Sequence, residues 1–181
     1  MLRVLAPLPS PIRDELTVLL RRPGASTRAL LSELGALRRA GVRVLLHRRV
    51  DLALAAGVAG VHLPERGIDP ADVRRLWPEA CIGVSRHDRA GLLAAAPAAN
   101  YATLSPFGSV EGKGPPLGAD RFRAERAGVP LAVLALGGVG PRTAAEAIAA
   151  GADGLAFIRA GFEPGALTAM ARRLPSPKPR P

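Results

Sequence analysis

The chain has 181 residues, of which 48% are hydrophobic and 3% aromatic, so alanine, leucine and valine build its core. A single cysteine, Cys81, excludes an internal disulfide, and no apolar run approaches the ~20 residues of a membrane span, so we expect a cytoplasmic protein. The net charge of +10 comes from arginines scattered along predicted helices, and the scarcity of aromatic residues for base stacking argues against nucleic-acid binding.

The first two predicted strands are separated by too few residues for a full helix. They are Leu2–Ala6 and Glu15–Arg21, with the proline-containing stretch Pro7–Asp14 between them. A crossover between parallel strands needs about a dozen residues or more. The first crossover helix is therefore predicted to be shortened or missing.

From Ser26 onward, predicted helices and strands alternate regularly. Capping residues such as Ser26 and Asp69 precede several helices, and glycine follows several of their ends. The helices are predicted at Ser26–Ala40, Val50–Ala56, Asp69–Leu76, Asp88–Ala96, Arg121–Ala127, Arg142–Ala150 and Pro164–Leu174. The later strands are predicted at Val42–His47, Gly60–Leu63, Cys81–Ser85, Asn100–Leu104, Leu131–Leu136 and Gly154–Ile158.

Most of these strands are short apolar runs, which are typical of parallel strands buried on both faces. Eight strands alternating with helices predict an α/β fold, a (β/α)8 TIM barrel forming a single domain over residues 1–174. Residues 175–181 are predicted to be a disordered, proline-rich tail. The alternative is an open doubly wound sheet, but no Gly-x-Gly-x-x-Gly motif follows the first strand.

The glycine turn within Ala132–Gly140 is the strongest candidate for a binding element. A buried strand runs into Gly137 and Gly138, and the next predicted strand is followed by Arg159. Glycines let a ligand approach the backbone closely, and amides at the start of a helix favour an anion. The loops after the last two strands of a barrel commonly bind phosphate, so we predict a phosphate site here.

The other predicted strand ends are rich in cations and poor in carboxylates. His47 and His87 each follow a strand, and each is either a general acid or base or a hydrogen-bonded histidine at the rim. His62, within a strand, is expected in the core, and Lys113 is either a lid residue or a solvated lysine. Because magnesium prefers carboxylate ligands and only Glu65 is near a strand end, we expect no metal and no other cofactor.

Five segments between about Leu16 and Gly161 form a recognisable series. They are Asp51-Leu-Ala-Leu-Ala-Ala-Gly, Gly60-Val-His-Leu, Ile82-Gly-Val-Ser-Arg-His87, Ala135-Leu-Gly-Gly-Val139 and Ala150-Gly-Ala-Asp-Gly-Leu-Ala156. In this order and spacing, they resemble the thiamine phosphate synthase/TenI family of barrels.

The resemblance implies binding of phosphorylated substrates. Synthases of the family join a pyrimidine pyrophosphate to a thiazole phosphate using magnesium held by two aspartates. The TenI branch includes thiazole tautomerases, which move a proton without a metal. The resemblance implies contacts to the thiazole phosphate from Gly137, Gly138, Ile158 and Arg159, contacts to the pyrophosphate from Ser85 and Lys113, and a match of Arg21 to the arginine of the second strand.

The chain departs from the synthase pattern where magnesium is held. His47-Arg48 replaces the Asn-Asp pair, and Pro64-Glu65-Arg66-Gly67 replaces the segment with the second aspartate. Pro23 replaces a lysine, and Val110 and Gly112 replace two threonines. The histidine that the TenI branch can have after the sixth strand is also absent, since Ser105-Pro106 stands there.

These departures favour a metal-independent, TenI-like thiazole tautomerase in which His47 or His87 moves the proton. The alternatives are a non-catalytic regulatory or binding protein for thiamine phosphates and a divergent thiamine phosphate synthase. The expected partner is a small phosphorylated thiazole or thiamine phosphate, with no nucleic acid and no membrane. Self-association is left open.

Overall fold

The computed structural model of the chain describes Ile12 and residues 16–163 and 165–174. The chain divides into two compact units. Within the described residues, unit 1 comprises Ile12, 16–84 and 98–100, and unit 2 comprises 85–97, 101–163 and 165–174. No helix among these residues is long and apolar enough to span a membrane.

Unit 1 is built on parallel strands that pair in chain order. Strand β1 pairs with β2, β2 with β3, and β3 with β4. Strand β3 is buried at all four positions, as expected for a strand covered on both faces. The strands are β1 (Thr17–Leu20), β2 (Arg43–His47), β3 (Gly60–Leu63) and β4 (Cys81–Arg86), and the helices between them are α1 (Thr27–Arg39), α2 (Val50–Ala55) and α3 (Pro70–Leu76).

Unit 2 continues the same alternation, with β5 parallel to β6 and β6 parallel to β7. Its core includes an edge-to-face contact between Phe107 and Phe122, with ring centroids 5.4 Å apart. Its elements are α4 (Arg89–Ala95), β5 (Tyr101–Leu104), α5 (Gly118–Arg126), β6 (Ala132–Leu136), α6 (Ala144–Ala149), β7 (Gly154–Ala156), a 3₁₀ helix (Arg159–Phe162) and α7 (Ala166–Ala171).

The α/β class with parallel strands alternating with helices is confirmed. The described residues contain seven strands rather than the eight of the predicted (β/α)8 barrel. The difference arises because the predicted strand Leu2–Ala6 lies outside the described residues, as do most of Pro7–Asp14 and the tail 175–181. Closure of the barrel by an eighth strand and disorder of the tail stay predictions.

Several predicted strands extend one or two residues beyond the observed strands, and the difference that bears on the candidate site is at the end of β7. Strand β7 ends at Ala156, whereas the sequence predicts a strand to Ile158. The backbone leaves the extended conformation at Ile158, whose ψ is −79°, and a 3₁₀ helix begins at Arg159. This helix brings Gly161 against the ring of Phe157, a contact that leaves no room for a Cβ atom. Arg159 is therefore the first residue of a helix and not the end of a strand.

The predicted helix caps Ser26 and Asp69 are confirmed, and Asp88 forms a third cap. The Ser26 hydroxyl accepts a hydrogen bond from the Ala29 amide at 3.2 Å. The carboxylates of Asp69 and Asp88 accept from the amides of Ala71 and Gly91, each at 2.8 Å. Each cap satisfies an amide that the helix itself leaves without a partner.

In unit 1, Arg74 of α3 joins the ends of several segments. Its guanidinium donates to the carbonyls of Ala98, Pro78 and Ala80 and to the Asn100 side-chain oxygen, the last at 2.7 Å. The same oxygen of Asn100 accepts from the Ile82 amide at 2.8 Å. One side chain therefore satisfies several carbonyl groups that have no partner within a helix or strand. These groups lie near the start of β4.

In unit 2, Asp153 has a comparable structural role. Its Oδ2 atom accepts from the Val133 amide at 2.9 Å and from the Arg126 guanidinium at 2.7 Å. The carboxylate therefore ties the turn before β7 to β6 and α5. It lies directly before β7 in the chain.

We expect Arg74→Met to destabilise the protein by about 2–4 kcal/mol, because it removes charge-assisted hydrogen bonds and leaves several carbonyls without a donor. The control is Arg75→Met, which loses an exposed ion pair to Asp72 and should change stability by no more than about 0.5 kcal/mol. Urea unfolding followed by circular dichroism measures both. Equal losses for the two variants would contradict this role of Arg74.

Candidate functional site

In unit 1, strand register places Arg21 and His47 next to each other. Leu20 of β1 pairs with Leu46 of β2, so the residues that follow them leave adjacent parallel strands side by side. His47 also pairs with His62 of β3, and their rings stack with centroids 6.3 Å apart and planes 20° apart. His62 is 2% exposed, which confirms it as a core residue. The sequence did not predict this stacking.

Arg48 follows His47 in a left-handed conformation, with a φ of 68°. For a residue with a Cβ this costs about 1–2 kcal/mol. The conformation is held by two backbone hydrogen bonds: the Arg48 amide donates to the His62 carbonyl, and its carbonyl accepts from the Val50 amide, both at 3.0 Å. Such strain persists where the surrounding structure fixes it, often at functional sites.

His47 is in an electropositive, half-buried environment. Burial, followed by the positive charges of Arg21 and Arg48, lowers the pKa of His47 from its ordinary value. At neutral pH the ring is therefore neutral. A neutral imidazole can accept a proton or a hydrogen bond, so the prediction of His47 as a general base remains chemically reasonable.

The carboxylates of unit 1 do not form a magnesium site. Asp51 is held by Arg49 through two hydrogen bonds of 2.8 Å and 2.7 Å, and this contact lowers the pKa of Asp51 to about 2. Glu65 is exposed. Across the described residues, no three His, Cys, Asp or Glu side chains are grouped so that they could hold a metal ion. The residues present do not fit the magnesium site of a synthase.

In unit 2, the glycine turn after β6 is packed against the chain's own loop. The φ angles of Gly137 and Gly138 are 87° and 66°, a region that favours glycine. A Cβ on Gly138 would lie 2.6 Å from the carbonyl carbon of Gly108. The Gly108 amide donates to the Gly137 carbonyl at 2.8 Å. The loop that starts at Ser105 therefore requires glycine here, whether or not a ligand also approaches the turn.

The turn still presents backbone donors. Within the described residues, the amides of Gly138 and Val139 have no protein acceptor. The Thr143 hydroxyl accepts from the Gly140 amide at 3.0 Å and donates to the Gly138 carbonyl at 2.9 Å, which fixes the turn. Successive amides in a glycine turn with positive φ are a common environment for an anion.

The segment that contains Arg159 lies next to this turn. Gly140, at the end of the turn, is against Ala160, so close that an added Cβ would lie 3.3 Å from the Ala160 methyl group. Arg159, the preceding residue, is exposed, and Ile158 is 66% exposed. The structure therefore brings the 3₁₀ helix that begins at Arg159 to the glycine turn, as a shared phosphate site requires.

His87 is fixed by the backbone next to β5. Its Nδ1 atom lies 2.6 Å from the Ser105 carbonyl oxygen, and the Ser105 hydroxyl is 3.4 Å from the same nitrogen. A carbonyl can only accept, so Nδ1 carries a proton, and the contact fixes the orientation of the ring. Ser85, two residues earlier in β4, is half-buried.

Lys113 is exposed in the loop between β5 and α5. Its amide donates to the Val110 carbonyl at 3.1 Å, which forms a tight turn. No helix or strand occurs between Ser105 and Leu117, so these residues form one long loop. Its start is anchored by the Phe107 amide, which donates to the Leu136 carbonyl at 2.8 Å. Whether Lys113 contacts a ligand stays a prediction.

Thr103 of β5 is a polar residue that sequence reasoning did not identify. It is 4% exposed, and its hydroxyl has no hydrogen-bond partner in the part of the chain that the structure describes. It shares a strand face with Leu134 of β6, with which it pairs. Threonine is common in strands, so only the missing partner, which the sequence does not reveal, distinguishes it.

Comparison with known proteins gives a consistent result. Residues 16–160 match the family TMP-TENI, described as thiamine monophosphate synthase. A thiamine-phosphate synthase of Methanoculleus marisnigri is 40% identical over 163 residues, covering 85% of this chain and 76% of the relative. One of Chloroflexus aurantiacus is 36% identical over 162 residues, covering 85% and 75%.

A solved structure supports the fold. The thiamine phosphate pyrophosphorylase from Pyrococcus furiosus aligns with a TM-score of 0.76 at 21% identity, covering 94% of this chain and 91% of that chain. At this identity the likeness concerns the fold alone. The names of the sequence relatives favour the synthase alternative over the tautomerase expected from the sequence.

We expect Gly138→Ala to be much more damaging than Gly112→Ala. Both glycines have a left-handed φ, so both substitutions should cost about 1–2 kcal/mol in backbone strain. Gly138→Ala should cost about 1–3 kcal/mol more, because its Cβ meets the Gly108 backbone whereas that of Gly112 meets nothing within 4 Å. Thermal unfolding measures the difference. Equal effects would contradict the packing of the turn on the loop.

We expect Arg21→Gln to raise the pKa of His47, since removing a nearby positive charge favours the imidazolium form. Titration of the imidazole by nuclear magnetic resonance measures this pKa. The control, Arg22→Gln, removes a charge that is already paired with Glu33 at 2.7 Å and should leave the pKa unchanged. A wild-type pKa at or above the ordinary value of about 6.5 would contradict the environment described here.

Proposed function

The chain belongs to the thiamine monophosphate synthase family, and from this membership we propose that it is a divergent thiamine phosphate synthase. The proposed reaction joins a pyrimidine pyrophosphate to a thiazole phosphate. A bond forms between the thiazole nitrogen and the pyrimidine methylene carbon, and the bond from that carbon to the pyrophosphate breaks. The observation that carries the proposal is the match over residues 16–160, together with synthases at least 36% identical over most of the chain.

The glycine turn supports binding of the thiazole phosphate. We assign the phosphate to the amides of Gly138 and Val139, with Arg159 supplying the opposite charge. Gly137 holds the turn in the conformation that presents these amides, and the exposed, apolar Ile158 directly precedes Arg159. By the family resemblance, Ser85 and Lys113 contact the pyrophosphate.

No step of the proposed reaction is assigned to magnesium. The family resemblance implies a magnesium ion held by two aspartates, whereas this chain has His47-Arg48 and Pro64-Glu65 at those places. An arginine cannot replace a carboxylate as a metal ligand, because it has donors and no acceptor. The charge of the departing pyrophosphate must then be stabilised by the chain's own cations.

A thiazole tautomerase is the second candidate, and the histidines are the observation that favours it. His47 is kept neutral, and the Ser105 carbonyl accepts a hydrogen bond from Nδ1 of His87, which fixes the orientation of that ring. Either ring could take a proton from the thiazole and return it to another atom. This chemistry needs the same phosphate site but no second substrate.

The test of the proposed function supplies the purified protein with the pyrimidine pyrophosphate and the thiazole phosphate. We expect thiamine phosphate and inorganic pyrophosphate to form in equal amounts. Arg159→Gln should raise KM for the thiazole phosphate at least about tenfold, because a charge-assisted contact to phosphate is lost. Arg172→Gln removes an exposed arginine beyond α7 and should leave KM unchanged.

The same protein, given the thiazole carboxylate phosphate tautomer, tests the second candidate by its rate of aromatisation. Faster aromatisation without formation of thiamine phosphate would replace the synthase proposal with the tautomerase. Binding of thiazole phosphate without either reaction would indicate a non-catalytic binding protein. No binding at all would contradict the phosphate site itself.

A further inference from the structure

We propose that Arg21, His47 and Arg48 of unit 1 form a diphosphate-binding site that works without a divalent metal ion. The proposal rests on the proposed function in one respect, since the diphosphate is identified as the leaving group of the substrate. It departs from the family pattern, in which magnesium bound by carboxylates supplies the positive charge. Here positively charged side chains stand where the family pattern has carboxylates.

Backbone geometry brings the three groups together. Leu20–Leu46 pairing places Arg21 beside His47 at the ends of two adjacent parallel strands. Arg48 is the next residue, and its amide is tied to the carbonyl of His62 in the third strand at 3.0 Å. The positive charges of both arginines act on the His47 ring, which shows that all three groups share one electrostatic environment.

Charge pairing separates these two arginines from their neighbours in sequence. Arg22 has Glu33 at 2.7 Å, and Arg49 has Asp51 at 2.7 Å. For Arg21 and Arg48, no carboxylate of the described residues lies within ion-pair distance. The acids in this region thus neutralise the flanking arginines and leave two positive charges next to a half-buried histidine. Such a cluster is complementary to a compact anion of high charge.

The backbone of Arg48 is a second, independent observation. A non-glycine residue with a φ of 68° is strained, and asparagine or glycine would satisfy the same turn at lower cost. The presence of an arginine at this strained position is explained if its guanidinium binds a ligand. The planar guanidinium donates two parallel hydrogen bonds to phosphate oxygens, which a lysine or a histidine does not.

The site has a defined task in the proposed reaction. When the carbon–oxygen bond to the pyrimidine methylene breaks, its electron pair stays on the pyrophosphate oxygen and increases the negative charge there. The thiazole nitrogen supplies the electron pair of the new carbon–nitrogen bond, so no oxidant or further reactant is needed. Arg21 and Arg48 stabilise the departing charge, and His47 offers a hydrogen bond to it.

The test measures binding of inorganic pyrophosphate to the purified protein by calorimetry in the presence of EDTA. We expect pyrophosphate to bind without magnesium and inorganic phosphate to bind at least about tenfold more weakly, since it offers fewer oxygens to two guanidinium groups. Arg48→Gly removes the guanidinium in a conformation that glycine adopts freely, so the fold is preserved. It should weaken pyrophosphate binding at least about tenfold, as should Arg21→Gln.

The control is Arg22→Gln, which changes the net charge equally but removes an arginine already paired with Glu33; its affinity should stay within about twofold of wild type. Pyrophosphate binding that requires magnesium, or equal affinities of wild type and Arg48→Gly, would overturn the inference. Neither result bears on the synthase assay, which is run with both substrates. Conversely, pyrophosphate binding in EDTA without formation of thiamine phosphate would support this site while contradicting the proposed function.

Discussion

Parallel, in-register strand pairing is the constraint on which the candidate site depends. In a parallel pair, the residues that follow the two strands leave at the same end, so residues far apart in sequence become neighbours. In unit 1, the pairing of Leu20 with Leu46 places Arg21 next to His47. In unit 2, the pairing of Ala135 with Leu155 places the strand before the glycine turn next to the strand before the 3₁₀ helix. A shift of register by one residue would turn His47 away from His62.

Much of the fold could be predicted because local signals and burial agree. Short apolar runs marked the strands, and Ser26, Asp69 and Asp88 marked helix starts with the hydrogen bonds that the structure shows. The prediction was wrong at the end of β7, where an apolar run continues but the backbone turns. An apolar run does not distinguish an extended residue from one in a short helix, and here it does not even mark a buried residue, since Ile158 is 66% exposed.

The features of the site that sequence reasoning missed are all non-local. The positive φ of Arg48 depends on a hydrogen bond to His62, and nothing in the residue type predicts it. The role of Gly137 and Gly138 was predicted from their lack of Cβ atoms, but the atoms that need this space belong to Pro106 and Gly108. The same physical property, a missing side chain, thus permits close packing of a loop and leaves the amides of Gly138 and Val139 without a protein acceptor in the described residues.

The positive charge of Arg48, at a position where the family pattern has an aspartate, affects the protonation of the neighbouring His47. If an aspartate stood there, a histidine at position 47 would gain a negative neighbour, which favours the imidazolium form. With arginine, the ring is instead surrounded by positive charge and stays neutral, so it adds a hydrogen-bonding group without adding repulsion between cations. In the proposed complex, the negative charge of the diphosphate would favour protonation of the same ring. His47 would then be neutral in the free protein and positively charged beside the proposed ligand, which would add a third positive charge to those of the two arginines.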